Sequence, residues 1–408
     1  MLAICLAAAA ANAGDYAGIH ARAAQAYRDG DMAGFRAAVL DALALRPDYP
    51  PMLYNLALAD ARQGRADEAM KRLERLERMG VALPVDAAAF PSLAGRSGFD
   101  DLAAAFEALE RPAGEAMEVA RLDGETGFLP EGVAVDPVTG DLFLGSVRQA
   151  RIVRVDGETG EAADFAGDDP ERLWGVFGMR VADGRLWVAT SAVPETLGAP
   201  AAARGRAAVL VYDVRDGALL RHCPAPAPGV LGDLLPHGDG AWVSDSTGGV
   251  AFVRSADCAW TPLVPPGRLV SPQGLADGGP GRLFVADYRG GLFLADTARG
   301  ELRAVPAPPD TTLYGIDGLA RAGEWLLAVQ NGIRPHRVTA LRLSAGGDAV
   351  VESRVLARSL PAFDEPTLGV VHDGRFVFVA NAGWERYAEP DGGGGPPVVL
   401  SVAVPSGR

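Results

Sequence analysis

The sequence predicts a mainly β protein, a six-bladed β-propeller that follows an N-terminal α-helical domain. Three observations lead to this fold class. Apolar residues recur with a helical period up to about residue 112 and alternate with a period of two beyond residue 115. The second region contains six copies of one strand–turn–strand unit. Glycine (51 residues) and proline (30 residues) are abundant without low-complexity tracts, which is typical of many short strands joined by tight turns.

Each copy of the repeated unit predicts one blade. A small-residue anchor is followed by a short apolar strand, a turn and a second apolar strand, as in EGVAVDPVTGDLFLGS and FGMRVADGRLWVATS. Neighbouring anchors are 41 to 55 residues apart, which is the blade spacing of propellers with loop insertions. More strand sequence follows each copy, so we expect four strands per blade. The anchors are Gly132, Gly178, Asp233, Gly274, Gly318 and Gly369.

The last blade is predicted to close with a strand from the beginning of the propeller. After the sixth copy the chain has one clear strand, VVLSVAVP, so this blade lacks an outer strand. The segment AMEVARLDG (116–124) can supply it, which removes an exposed sheet edge. The propeller is therefore expected to span residues 115–408.

The region 14–112 has the pattern of paired helices. Gly30 and Gly64 are 34 residues apart, and so are Pro50 and Pro84. This period, with glycine between the helices and proline after them, resembles that of tetratricopeptide repeats. Two repeats are few for a free-standing peptide groove. We expect this domain to pack or to act as a docking surface for a protein partner.

The first thirteen residues, MLAICLAAAAANA, predict a signal peptide. An apolar run ends in Ala-Asn-Ala, which has the form of a cleavage site, although a basic segment is missing. An alanine-rich helix is the alternative. Cleavage would make the protein periplasmic or secreted, where Cys223 and Cys258 could form a disulfide; two separate buried cysteines are the alternative.

The charge of the chain excludes some classes of partner. The formal net charge is -14 and the pI is near 4.9, which argues against nucleic acid and anionic membrane surfaces. Beyond the N-terminal segment, no stretch reaches the ~18 apolar residues that a membrane span needs. We expect a small-molecule substrate or ligand.

The predicted site is one mouth of the central channel. The start of a blade's first strand and the end of its second lie on the same face, because the two strands are antiparallel neighbours. Ligands bind where loops converge on such a concavity. The strand starts are Glu131, Phe177, Gly232, Gln273, Asp317 and Leu368, and the strand ends are Arg148, Ser191, Asp245, Asp287, Asn331 and Asn381.

Two acids in this ring, Glu131 and Asp317, predict a divalent-cation site. Two carboxylates in a narrow channel repel each other unless a cation or a shared proton intervenes. With Gln273 they would provide oxygen ligands, which suit Ca²⁺ first, with Mg²⁺, Mn²⁺ or Zn²⁺ as alternatives. A pair of acids solvated by water is the alternative interpretation.

Further candidates surround these acids. His336 is the one histidine on the side of the mouth, which makes it a candidate proton shuttle or, alternatively, a surface loop residue. The candidate substrate-binding residues are Phe177, Asn331, Asn381, Trp384 and Arg148.

The motifs PEGVAVD, GDLLPHGDGAWVSDS, SPQGLADGGPGRLFVADY and IDGLA resemble those of gluconolactonases, regucalcins and senescence-marker-type propellers, over about 290 residues. The later segments resemble a bacterial branch of that superfamily. The resemblance implies a channel cation that polarises a lactone or ester carbonyl, with Glu131 and Asp317 as ligands. The chain departs from the family where Gly232 and Gln273 stand in place of asparagines, and where Phe177 occupies a substrate-binding asparagine position.

Two functions follow from this sequence. The first is a metal-dependent hydrolase of lactones or related esters, in which Asp317 and Glu131 ligate the cation and orient or deprotonate water. The second is a non-catalytic propeller that binds a small molecule or a protein. Fold alone does not decide between them, because propellers host both roles.

Overall fold

The computed structural model describes residues 13–387 and 392–407. The chain divides into two compact units. One comprises the residues up to Glu110 together with Pro309–Thr312, and the other comprises Arg111–Pro308 together with Leu313–Arg408. The predicted signal peptide (1–13) lies outside the described residues, apart from residue 13, which begins the first helix.

The described part of the first unit contains five α-helices, and consecutive helices pack against each other. Gly30 and Gly64, which are 34 residues apart in the sequence, both adopt the left-handed conformation (φ +74° and +75°) just after the first and third helices. Only glycine adopts this conformation without strain, which explains why the chain turns at these positions. The match to tetratricopeptide repeats stays a prediction. The helices are α1 (Ala13–Arg28), α2 (Met32–Leu45), α3 (Pro50–Arg62), α4 (Ala66–Arg78) and α5 (Phe99–Leu109).

The second unit is a six-bladed β-propeller, as predicted. Each blade is an antiparallel sheet, and in blades one to four the strands follow one another in sequence from the innermost strand outwards. Blade one comprises β3 (Pro130–Val135), β4 (Leu142–Ser146), β5 (Arg151–Val155) and β6 (Ala162–Ala166). Blade two comprises β7 (Gly175–Ala182), β8 (Arg185–Ser191), β9 (Ala207–Asp213) and β10 (Leu219–Pro224). Blade three comprises β11 (Leu231–His237), β12 (Gly240–Asp245), β13 (Gly249–Arg254) and β14 (Trp260–Val264).

The remaining blades follow the same order. Blade four comprises β15 (Pro272–Asp277), β16 (Arg282–Asp287), β17 (Gly291–Asp296) and β18 (Leu302–Ala304). Blade five comprises β19 (Ile316–Ala322), β20 (Trp325–Gln330), β21 (Arg337–Leu343) and β22 (Val350–Arg358), with the short β1 (Ala113–Gly114) paired to β22 as a fifth strand. Blade six comprises β23 (Gly369–His372), β24 (Arg375–Val379), β25 (Val398–Ala403) and β2 (Met117–Arg121).

The ring closes with a strand from the start of the propeller, as the sequence predicts. β2 pairs antiparallel with β25, so that Met117 is opposite Ser401 and Arg121 is opposite Val398. Blade six therefore contains both the first and the last parts of the unit. This closure protects the sheet edge that blade six would otherwise expose.

A β-bulge recurs at the same place in the innermost strand of blades one to five. The register shifts between Pro130 and Val133 in blade one and between Ile316 and Leu319 in blade five, and blades two, three and four shift at the equivalent positions. A bulge bends its strand and redirects a side chain. The bulged pairs are Glu131-Gly132, Phe177-Gly178, Gly232-Asp233, Gln273-Gly274 and Asp317-Gly318, which are the predicted strand starts with their anchors.

The anchor glycines allow neighbouring blades to approach closely around the channel. A Cβ atom at Gly132 would lie 1.9 Å from the Phe177 carbonyl oxygen, and one at Gly274 would lie 2.6 Å from the Asp317 carbonyl oxygen. Real Cβ atoms do not approach so closely, so a side chain at either position would push the blades apart. Blade three has Asp233 as its anchor, and that side chain is fully buried.

A disulfide joins Cys223 to Cys258, which resolves the alternatives that the sequence left open. Cys223 lies in β10 of blade two, and Cys258 lies between β13 and β14 of blade three. The bond therefore links the outer parts of two neighbouring blades.

Among the described residues, no helix has the length and apolar character to cross a bilayer.

Candidate functional site

The channel mouth brings together side chains from blades one, five and six. Glu131 in β3 and Asp317 in β19 occupy equivalent bulge positions, and each side chain is 7% exposed. Asn331 follows β20 directly, and Trp384 begins a 3₁₀ turn, Trp384–Tyr387, after β24. The structure thus places four of the predicted site residues in one cluster.

Glu131 is held by partners from blade six. The Trp384 indole Nε1 donates a hydrogen bond of 2.8 Å to Glu131 Oε2. The Thr367 hydroxyl donates to the Glu131 backbone carbonyl at 2.8 Å. The first bond orients the carboxyl group, and the second fixes the backbone of Glu131. The Oε1 atom has no hydrogen bond from the described residues.

Asp317 is held by an asparagine of its own blade. Asn331 Nδ2 donates to Asp317 Oδ2 at 2.7 Å, and the same nitrogen donates to the Pro366 carbonyl at 2.9 Å. Both amide protons of Asn331 are therefore used. Its Oδ1 atom is buried and has no hydrogen-bond partner among the described residues. A buried acceptor without a donor is costly, so this atom marks a position for a ligand group.

The two acids differ from ordinary carboxyl groups and from each other. Burial raises the pKa of Asp317 to about 7, although the Asn331 hydrogen bond acts in the opposite direction. Burial also raises the pKa of Glu131 well above its ordinary range, and the negative charge of Asp317 adds to the effect. The Trp384 hydrogen bond opposes this rise. Asp317 therefore exchanges its proton near pH 7, and burial together with the charge of Asp317 favours the protonated form of Glu131.

Within the described residues, no arginine, lysine or histidine forms an ion pair with Glu131 or Asp317. The nearest charged influences on Asp317 are the carboxylates of Glu365 and Asp233, which both raise its pKa. Carboxyl groups are therefore concentrated at the mouth. Arg180 pairs with Asp233 and the charge of Arg334 acts on Glu365, whereas Glu131 and Asp317 have no cationic partner among the described residues. A cation, a proton or a neutral ligand is favoured there, and an anion is disfavoured.

Glu365 is a residue that sequence reasoning missed. Its carboxylate Oε2 accepts a hydrogen bond of 2.8 Å from the Trp384 backbone N–H, and its charge acts on both Glu131 and Asp317. Its backbone has φ +61°, which is rare for a residue with a side chain. Such strain is common at functional sites. It lies in a loop before β23, where no periodic pattern could indicate it.

Aromatic side chains cover the acids. Phe177 is buried, and its ring stacks on Trp384 with ring centres 6.1 Å apart and an interplanar angle of 27°.

Tyr288 is a second residue that sequence reasoning missed. Burial and the charges of Asp317 and Glu365 raise its pKa, so its hydroxyl stays protonated at neutral pH. A Cβ at Gly332 would lie 2.7 Å from the Tyr288 ring, so this position needs glycine.

Gln273 occupies space that Gly232 leaves open. A Cβ atom at Gly232 would lie 2.7 Å from Gln273 Oε1, so the longer amide fills the place of the missing side chain. Gln273 Nε2 donates to Ser246 Oγ and to Ser271 Oγ, both at 3.3 Å. The two departures from the family pattern therefore compensate each other in volume. The amide is turned towards serines of blades three and four.

Two predicted substrate-binding residues have structural partners. Asn381 donates to the Pro396 carbonyl at 2.9 Å and accepts from the Val398 N–H at 2.8 Å, so its amide connects the loop to β25. Arg148 is buried, with its guanidinium 5.4 Å from the centre of the Tyr387 ring. These contacts account for both side chains without a ligand.

His336 lies in the loop between β20 and β21. Burial, together with the positive charge of Arg334, lowers its pKa to about 4. The imidazole is therefore neutral at pH 7 and is a weak base. This property makes it poorly suited to the predicted role of proton shuttle, for which a pKa near the working pH is best.

The donor atoms at the mouth fit a hard divalent cation in part. Glu131, Asp317 and the orphaned Asn331 Oδ1 are all oxygen donors, which Ca²⁺ and Mg²⁺ prefer over the nitrogen and sulfur that suit Zn²⁺. In the part of the chain that the structure describes, no cluster of three or more His, Cys, Asp or Glu side chains could hold a metal ion. An ion here would depend on the asparagine and on water for the rest of its shell.

Comparisons with known proteins support the fold. No protein-family model matches the chain, and no curated protein does either. Among solved structures, the major allergen Mala s 1 of Malassezia sympodialis is 14% identical over 71% of this chain and 96% of that chain, with a TM-score of 0.52. A protein of unknown function from Bacteroides thetaiotaomicron is 11% identical over 72% of this chain and 76% of that chain, with a TM-score of 0.52. A calcium-binding regucalcin from Agrobacterium tumefaciens is 14% identical over 71% of this chain and 96% of that chain, with a TM-score of 0.47. At such identities the first two comparisons show that the propeller fold is shared.

Proposed function

We propose that this protein hydrolyses uncharged lactones or related esters at the channel mouth, with Asp317 moving the proton as general base and then general acid, and with Glu131 as hydrogen-bond donor to the carbonyl oxygen. The observation that carries the proposal is a pair of buried carboxyl groups that have no cationic side-chain partner among the described residues and whose pKa values are both raised by burial. Titratable groups with strongly perturbed pKa values are common in active sites, where they act as general acids and bases.

The reaction can be written with these two side chains. Asp317 accepts a proton from water as the water oxygen attacks the carbonyl carbon. Glu131, whose Oε2 accepts the Trp384 indole proton, carries its own proton on Oε1 and donates a hydrogen bond to the carbonyl oxygen. The ring C–O bond then breaks, and the proton held by Asp317 passes to the ring oxygen. The product is a hydroxy acid, and both side chains return to their starting states.

The charge of the mouth fits this type of reaction. A lactone or ester is neutral and enters without electrostatic cost. Its product is a carboxylate, which the negative charges of Asp317 and Glu365 repel. The Phe177–Trp384 stack provides an apolar wall for the body of the substrate.

A divalent cation is a second component of the proposal. Glu131, Asp317 and Asn331 Oδ1 would hold it, and both carboxyl groups would then be ionised. When bound, it would supply a Lewis acid at the carbonyl oxygen. The side chains of this protein would still position the substrate, exclude water from the apolar wall and move the proton at Asp317.

A panel of lactones and aryl esters, assayed from pH 5 to 10 with and without EDTA, tests the proposal. We expect the activity of the metal-free enzyme to rise with pH as Asp317 ionises near pH 7, and to require the protonated form of Glu131, whose pKa burial also raises. Loss of all turnover in EDTA would instead make the cation essential. Asp317→Asn and Glu131→Gln should each lower kcat by at least about 100-fold. Glu385→Gln, an exposed acid of the same 3₁₀ turn, is the matched control.

A non-catalytic binding role is favoured by one feature of the mouth. Trp384 is hydrogen-bonded to Glu131 and stacked on Phe177, so it covers the acid that a substrate would have to reach. Saturable binding of a lactone with no turnover at any pH, with or without metal, would support this role and refute the hydrolase.

A further inference from the structure

A cavity lies at the end of the channel opposite the two carboxyl groups of Glu131 and Asp317. Its volume is about 250 Å³. The innermost strand of every blade starts at the mouth and ends at a turn on the other face, so residues late in these strands line this cavity. Every blade contributes at least one apolar side chain to the wall: Val135, Val181, Leu235, Leu275, Leu319 and Val370. We call this cavity the far cup.

Arg180 of blade two lines the far cup and is anchored beneath it. Its Nη2 donates to Asp233 Oδ2 at 3.0 Å, and its Nη1 donates to the Met179 carbonyl at 2.8 Å. Asp233 is fully buried and also accepts from the N–H groups of Leu234 and Leu275. A guanidinium has five N–H groups. Beyond these two bonds, the N–H groups of Arg180 make no hydrogen bond with the described residues. The Arg180 side chain keeps 11% exposure.

Arg321 of blade five lines the same cavity. Its Nε donates to the Gly323 carbonyl at 2.9 Å, and its Nη1 donates to the Asp277 carbonyl at 3.0 Å. These carbonyls fix the guanidinium without neutralising it. Asp277 also lines the far cup, and its carboxylate is 4.0 Å from Arg321 Nη1. That side chain is 67% exposed, so solvent screens most of its effect.

We propose that the far cup binds a small aliphatic monocarboxylate. Two fixed guanidinium groups provide planar pairs of N–H donors, which match a carboxylate better than they match a neutral amide or alcohol. The apolar walls favour an alkyl chain. A volume of 250 Å³ corresponds to about eight water molecules at ~30 Å³ each, which limits the ligand to a short chain.

This site is independent of the proposed lactone chemistry. The charges of Asp317 and Glu365 disfavour a carboxylate at the mouth. At the far cup the charge of Arg321 favours one, and Arg180, whose charge is paired with Asp233, contributes N–H donors. The two ends of the channel therefore select ligands of different charge.

Isothermal titration of the full chain with hexanoate at pH 8 tests the proposal, with hexanamide as the neutral probe of the same shape. We expect saturable binding of one hexanoate per chain, and binding of hexanamide weaker by at least about tenfold. In methyl NMR spectra, hexanoate should shift the signals of Leu319 and Val370. The Trp384 indole signal should not shift, because this residue lies at the mouth and does not contact the ligand.

Three variants complete the experiment. Arg321→Gln should weaken hexanoate binding by about tenfold. Arg180→Met combined with Asp233→Asn, which removes both buried charges together, should weaken it at least as much. Arg215→Gln removes an exposed charge elsewhere and should leave binding unchanged. The proposal is overturned if hexanoate shows no saturable binding, if hexanamide binds equally well, or if Arg321→Gln and Arg215→Gln behave alike.

Discussion

Asp317 is expected to make the propeller less stable at neutral and alkaline pH. Its pKa is raised from the ordinary 3.8 to about 7 in the folded protein, chiefly by burial. An acid with a raised folded pKa favours folding fully below its unfolded pKa, and this contribution is lost as the pH rises to the folded pKa. The loss therefore occurs between about pH 4 and pH 7. A rise of about three pH units at 1.36 kcal/mol each amounts to about 4 kcal/mol.

The substitution Asp317→Asn removes this penalty while it keeps the shape of the side chain. The new amide oxygen can still accept the hydrogen bond from Asn331 Nδ2. We expect the free energy of unfolding at pH 8 to rise by up to about 4 kcal/mol, and at pH 4.5 to change by about 1 kcal/mol or less.

Urea unfolding followed by tryptophan fluorescence is the appropriate assay. All six tryptophans belong to the propeller unit, so the signal reports this unit alone. Asp216→Asn, a change in an exposed turn, is the control and should alter stability by less than about 0.5 kcal/mol at either pH. A variant that is less stable than the wild type at pH 8, or equally shifted at both pH values, would refute the reasoning.

Three further predictions concern other parts of the propeller. Trp384→Phe keeps the stack on Phe177 but removes the indole N–H whose hydrogen bond lowers the pKa of Glu131. A carboxyl titration by NMR should therefore show a further rise in the pKa of Glu131. An unchanged pKa would contradict the role given to this hydrogen bond. Replacing Cys223 and Cys258 by alanine removes a cross-link between residues 35 apart in the sequence. The free energy of unfolding in urea should fall by about 3–4 kcal/mol. An unchanged unfolding midpoint would show that the disulfide does not stabilise the protein. Gly132→Ala should destabilise the propeller by more than about 2 kcal/mol, because its Cβ would meet the Phe177 carbonyl, while Gly124→Ala, which has open space, should have little effect.

The sequence predicted the propeller because its repeats carry a local signal. The alternation of apolar residues and the anchors at Gly132 or Gly274 are visible without any structure, and they also predicted the closing strand β2. The bulges at these anchors explain why Glu131 and Asp317 face the channel. The ring of strand starts was therefore predictable from topology.

The partners of those acids were less predictable. Glu365 and Tyr288 lie in loops, where the path of the chain depends on packing and not on period. The pairing of Arg180 with Asp233 joins two blades and has no sequence signature, since it depends on the distance between neighbouring innermost strands. The compensation between Gly232 and Gln273 likewise needed coordinates, because the sequence shows only two missing asparagines.

The most direct test of the acid–base assignment is a ¹³C-carboxyl NMR titration of the chelator-treated protein, with signals assigned through Asp317→Asn and Glu131→Gln. We predict that Asp317 loses its proton near pH 7 and that Glu131 loses its proton well above the ordinary range of carboxylic acids. Titration of both groups below pH 5, in the ordinary range of carboxylic acids, would contradict the account.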